Sequence, residues 1–331
     1  MRARWLTGLL LFALAQYAYC ASGNDVADNA APPSADNQVM DEVVITGEWP
    51  GPQLWKISKG DHVVWILGTL TPLPRKMIWK YADVDKIIAA SQEVIGKTNV
   101  RPKVSIFGWV PLYFQIRKAA KLPDKQTLKE VLPADLYQRY AVLVHQYRLD
   151  DGDFERLRPI VAAMRLYQAV IEANDLTGKN DVHETVLKLA EEHDVPLKDV
   201  TIKVGEPREV LKDVSQLPRS AEIACFTDVV AGLETDLPLL KKRAAAWARG
   251  DVETLRKLVT AKERSACRDA LFSVQSVKAV SDEAKSTWLN AITYSLDHNQ
   301  SALALSPVYD LISQGGGLDQ LRKAGYQVEG P

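Results

Sequence analysis

Signatures of catalysis are what this 331-residue sequence has least of. It contains no Gly-x-Ser-x-Gly segment, which excludes the nucleophile elbow of a serine hydrolase. None of its five histidines stands in a His-Glu-x-x-His pattern: His183 and His193 are ten residues apart, so one helical turn cannot bring them to a shared zinc ion. Both lie in a charged, helix-forming stretch and read as a solvated face. Ser306 follows a strand-forming run, but Pro307 beside it and the lack of a base leave it a strand-end residue. The chain also lacks charge of one sign, with a net charge of −1, so nothing implies a nucleic-acid partner, which normally needs a strongly basic face. No repeat of fixed period is present.

Long apolar runs are missing as well. Leu6–Ala15 is apolar, follows Arg2 and Arg4, and precedes Ala18-Tyr19-Cys20. A span needs about 20 apolar residues, so this is the layout of a cleaved export signal, residues 1–21, ending at Cys20 or Ala21. A lipidated Cys20 is the rival reading, disfavoured by the bulky Tyr19. Nothing later is apolar enough to form a transmembrane helix in the mature chain. The expected location is therefore the periplasm or the exterior. Residues 22–48 carry Ala30-Ala31-Pro32-Pro33 and almost no aromatics, the composition of a flexible leader, with Val43–Gly47 its one β-prone piece. Cysteine is scarce too. Once Cys20 is removed, Cys225 and Cys267 remain, and an oxidising compartment favours a disulfide between them.

What is present is mixed. Leu54–Ser58 and His62–Leu67 read as two strands around the turn Lys59-Gly60-Asp61, with Gly68-Thr69 ending the second. Asp83–Ser91 reads as a helix and Glu93–Gly96 as a third strand. Leu136, Tyr140, Leu143 and Val144 recur at helical spacing after Pro133, and Arg158-Pro159 opens a further helix. Asp181–His193 is helical, and Val200–Ile202 is strand-forming. Ser220–Ala248 is a long helical stretch interrupted at Pro238, followed by Gly250 as a helix end and Asp251 as an N-cap. Ser301–Leu305 reads as a buried strand, followed by a Gly315-Gly316-Gly317 turn, a helix over Leu318–Lys323 and a last strand at Gly325–Glu329. The expected fold is α+β, a central sheet built from N- and C-terminal strands with a large helical middle, forming one domain over 49–331.

The opening Gln53–Pro74, with Leu54-Trp55-Lys56 leading to Gly68-Thr69-Leu70-Thr71, resembles the TraB/GumN family, as does the ending Leu321–Glu329. The resemblance runs from about 53 to 329. In that family and its Tiki-type relatives, two Gly-x-x-His motifs and a glutamate are thought to hold a divalent metal for peptide hydrolysis. Imidazole and carboxylate suit such an ion, which acidifies a bound water. At the first motif this chain has Gly68 and Thr71; at the second it has Ser306 and Tyr309; the acidic position falls near Gly96 or Lys97, with Glu93 some residues earlier. The resemblance with these replacements implies a degenerate metal site, a pseudoenzyme with no cofactor, and a binding or scaffold role in the cell envelope. The alternative is a metal-dependent hydrolase that uses displaced ligands, Glu93, His62 or His298, for manganese, cobalt or zinc.

A second alternative starts from Val104–Ile116, rich in aromatics and followed by bases. Trp109, Arg117, Lys118 and Lys121 could place residues 104–129 against anionic lipid or polymer. The competing reading makes this segment part of the core, flanked by a solvated basic face. No specific partner is legible.

Overall fold

The computed structural model describes residues 51–331, apart from Lys76, Asn180 and residues 261–264. The expected signal, the leader and Val43–Gly47 lie outside the described residues.

The N-terminal hairpin forms as its sequence suggests. Strand β1 (Leu54–Lys59) pairs antiparallel with β2 (His62–Thr69), and the turn between them holds Gly60 at a φ of 62°. A short β3 (Leu73–Pro74) and helix α1 (Ala82–Ala89) lead to β4 (Glu93–Ile95) and β5 (Asn99–Pro102). Helices α2 (Trp109–Ala119), α3 (Leu128–Val131), α4 (Ala134–Gln146) and α5 (Pro159–Ala173) follow, then β6 (Leu176–Thr177) and α6 (Asp181–Glu192). Strands β7 (Leu197–Lys198) and β8 (Thr201–Val204) precede α7 (Pro207–Ser215), α8 (Arg219–Thr235), α9 (Leu237–Ala248), α10 (Val252–Thr260) and α11 (Ala266–Phe272). The long α12 (Gln275–His298) delivers β9 (Ser301–Pro307), and α13 (Val308–Ile312), α14 (Gly317–Lys323) and β10 (Gln327–Glu329) complete the chain.

The principal sheet runs β10-β1-β2-β9-β4-β7, so its centre joins strands from the two ends of the chain. The first two pairings are antiparallel; β2, β9, β4 and β7 are mutually parallel. Ala302, Leu303, Ala304 and Leu305 are all fully buried, although successive side chains point to opposite faces. A strand covered on both faces reads as an uninterrupted apolar run, which is why Ser301–Leu305 stood out in the sequence.

Buried side chains fall into two clusters. One surrounds this sheet; the other fills the helical middle, where Leu136, Tyr140, Leu143 and Val144 of α4 meet Phe226 and Leu166. The helical stretch breaks where proline removes an N–H: α8 stops at Thr235 and Pro238 sits in the first turn of α9. Gly250 at a φ of 70° closes α9, and the Asp251 carboxylate then accepts from the Thr254 N–H at 3.0 Å, capping α10. A disulfide joins Cys225 of α8 to Cys267 of α11.

The core reading of Val104–Ile116 is corrected by the structure. Only Leu112 and Ile116 turn inward from α2, whereas Ile106, Phe107, Val110 and Phe114 are exposed. The solvated reading of His183 also fails: it is half-buried, and burial with Lys97 nearby lowers its pKa. His193 is engaged as well, its Nε2 lying 2.7 Å from Asp85 of α1.

Candidate functional site

The parallel pairing of β2 with β9 sets Gly68 opposite Ser306 and Thr69 opposite Pro307, so two segments about 240 residues apart in sequence end side by side. Both ends are fixed by indole N–H groups. Trp247 Nε1 donates to the Gly68 carbonyl at 2.7 Å and Trp288 Nε1 to the Leu305 carbonyl at 3.0 Å. Gly68 is required for space, because a Cβ there would stand 2.8 Å from the Trp55 ring.

Beyond the end of β9 lies a cavity of about 260 Å³. Val277, Val280, Trp288 and Leu289 of α12, with Val100, Val204 and Phe272, supply apolar walls; Ser306, Tyr309 and the Gly315–Gly317 turn close the strand end. That turn is tight: a Cβ on Gly316 would meet the carbonyl oxygens of Asp310, Ser313 and Leu311 at 2.7–2.8 Å.

The charged lining is unequal. Lys97, Arg268 and Lys285 contribute three cations against the one carboxyl of Asp310. Arg268 donates to the Tyr309 hydroxyl, and its guanidinium lies 5.1 Å from the centre of that ring and 5.4 Å from that of Phe272. Burial lowers the Lys97 pKa. Asp310 is an exposed residue of the cavity lining, with protein atoms gathered densely around its carboxyl. Burial therefore raises its pKa to about 6, against the opposing pull of Lys285 and Arg268.

A model of the TraB/PrgY/gumN family matches residues 53–330. The chain belongs to that family. No curated protein and no solved structure matches it.

Of the TraB/PrgY/gumN positions named from the resemblance, Ser306, Tyr309 and Lys97 line the cavity and Gly96 does not. Thr71 of the first motif is half-buried and does not line the cavity. These donors do not fit a divalent cation. The tyrosine oxygen already accepts from a guanidinium, and the one carboxyl faces two of the three cations.

The displaced ligands stand at the opposite end of the parallel strands. His62 opens β2 and donates from Nδ1 to the Leu296 carbonyl at 2.8 Å; His298 ends α12 and donates from Nδ1 to the Tyr294 carbonyl at 2.8 Å. Glu93 opens β4, with Oε2 3.8 Å from Lys198 Nζ and Oε1 buried without a hydrogen-bond partner among the described residues. Among the described residues, no three His, Cys, Asp or Glu side chains converge as a metal site. Trp109, Arg117, Lys118 and Lys121 lie on and just after α2, all at the surface. Arg268, Lys285 and Asp310 escaped the sequence reading. The one available signal was Asp310 directly following the motif position Tyr309.

Proposed function

We propose that this TraB/PrgY/gumN member is an exported cell-envelope protein that binds an amphiphilic anion in the strand-end cavity and hydrolyses nothing there. The observation that carries the reading is the presence of three cations around an apolar chamber. Lys97, Arg268 and Lys285 would meet a carboxylate or phosphate, while Val277, Val280, Phe272 and Trp288 receive an apolar body. With Asp310 ionised, the lining still carries two net positive charges, three cations less one carboxylate. The same charge repels a divalent cation, the group that would acidify a bound water.

Calorimetric titration tests this, with octanoate as probe and octan-1-ol as its uncharged counterpart. Saturable one-to-one binding of octanoate over octan-1-ol is expected, unchanged by chelator and weakened roughly tenfold or more in Lys285→Met. Equal binding of the two, or none, overturns the reading. So does stoichiometric uptake of manganese, cobalt or zinc with peptide cleavage, which would restore the hydrolase alternative.

A further inference from the structure

A second surface points to a different partner. The single turn Ile106–Gly108, capped by the Ser105 hydroxyl accepting from the Gly108 N–H at 3.2 Å, lifts Ile106 and Phe107 off the protein, 86% and 90% exposed. Helix α2 continues from it with an inverted apolar pattern. Leu112 and Ile116 fasten it to the core, and Val110, Phe114, Arg117 and Lys118 occupy the face turned away. Side chains at i and i+4 share a helix face, so Val110 and Phe114 extend the ridge begun by Ile106 and Phe107.

Along the segment itself charge has one sign, while helix α7, packed against α2, carries Glu209 and Asp213. Arg101, Lys103, Arg117, Lys118 and Lys121 are exposed, and no aspartate or glutamate occurs between residues 95 and 123. Contiguous exposed apolar surface rimmed in this way marks an interaction site. A ridge of exposed aromatic and aliphatic side chains beside lysines and arginines matches an anionic bilayer: the apolar groups would enter the headgroup boundary and the bases would meet lipid phosphates.

We infer that residues 106–121 dock the protein peripherally on an anionic lipid surface. This goes beyond the cavity reading and does not depend on it, since none of the ridge residues lines the cavity.

Co-sedimentation of the protein, as the cell processes it, tests the inference with phosphatidylglycerol-containing and pure phosphatidylcholine vesicles. Binding to the anionic vesicles that weakens with salt is expected, with Trp109 quenched by brominated acyl chains and the quenching lost in Trp109→Phe. Replacing Phe107 and Phe114 by serine should cost roughly tenfold or more in partition per ring, because the transfer of each ring out of water is forfeited. Arg117→Gln and Lys118→Gln should each cost about fivefold at low salt. All four side chains are exposed, so an unchanged circular dichroism spectrum and melting temperature separate lost docking from lost folding. No preference for the anionic vesicles, or equal binding by the serine variant, overturns the inference. It is also overturned if the ridge is covered in solution, by a second copy in a dimer that Phe107→Ser dissociates or by the segment preceding residue 51.

Discussion

Asp310 is a carboxyl whose surroundings oppose its charge on balance. Its native pKa is raised to about 6 from an ordinary 3.8, so between those values the folded chain binds the proton that the unfolded chain releases. Its contribution to stability is therefore most favourable below pH 4, declines as pH rises through 6, and is a full penalty above it. Asp310→Asn should remove that penalty, and the difference in unfolding free energy between variant and wild type should grow from pH 4 to pH 6 and then level off in denaturant titrations. Subtracting wild type cancels the opposite trend of carboxylates with lowered values, such as Asp297 beside Lys59. The reach of sequence reading is plain at this scale. Lys97, Arg268, Lys285 and Asp310 span more than 200 residues, and each alone resembles an ordinary solvated charge. Only the fold makes them neighbours. Ile106 and Phe107 mislead in the other direction, since an aromatic run carries the same signal whether it faces a core or a membrane.

Elements were legible wherever a period or a breaker marked them. The hairpin β1–β2, helices α4, α5 and α6, the break at Pro238 and strand β9 all follow from alternation, helical spacing or proline chemistry. The parallel pair β5–β8 was not fully legible, because four residues per strand give alternation too little length to register. Nor was the tie that locks α5 and α8 together. Arg158, just before α5, donates from Nε and Nη2 to the Glu222 carboxylate, and its Nη1 donates to the Ser215 carbonyl at 2.7 Å. Both side chains are buried, and that carboxylate is only 1% exposed. Glu222→Ala leaves a guanidinium stranded in the core, which should destabilise the fold by about 3–5 kcal/mol, measurable as a lowered denaturant midpoint at unchanged slope. Glu222→Ala paired with Arg158→Met should recover much of that loss.

For the molecule as a whole, the sheet core and the helical core pose different problems of stability. The first is closed by strands from the two chain ends. The second gains a covalent link, Cys225–Cys267, enclosing a separation of 42 residues. Such a closure restricts the unfolded chain by roughly 4 kcal/mol in the chain-entropy model. Replacing both cysteines by serine should lower the melting temperature by several degrees, and adding reductant should reproduce the shift in wild type while leaving the variant unmoved.

The position of β9 between β2 and β4 bears on how the protein is made. When the hairpin β1–β2 leaves the ribosome, its parallel neighbour β9 lies more than 230 residues further along the chain, and its antiparallel edge partner β10 comes later still. Contacts of such sequence separation form late, because their loop entropy must be met before they return anything. The nascent chain therefore cannot close its central sheet until Ser301–Pro307 has been made. For a polypeptide exported as proposed above, that delay keeps it threadable; its counterpart is that any chain terminated before residue 301 presents an edge of β2 with no native strand to pair with it.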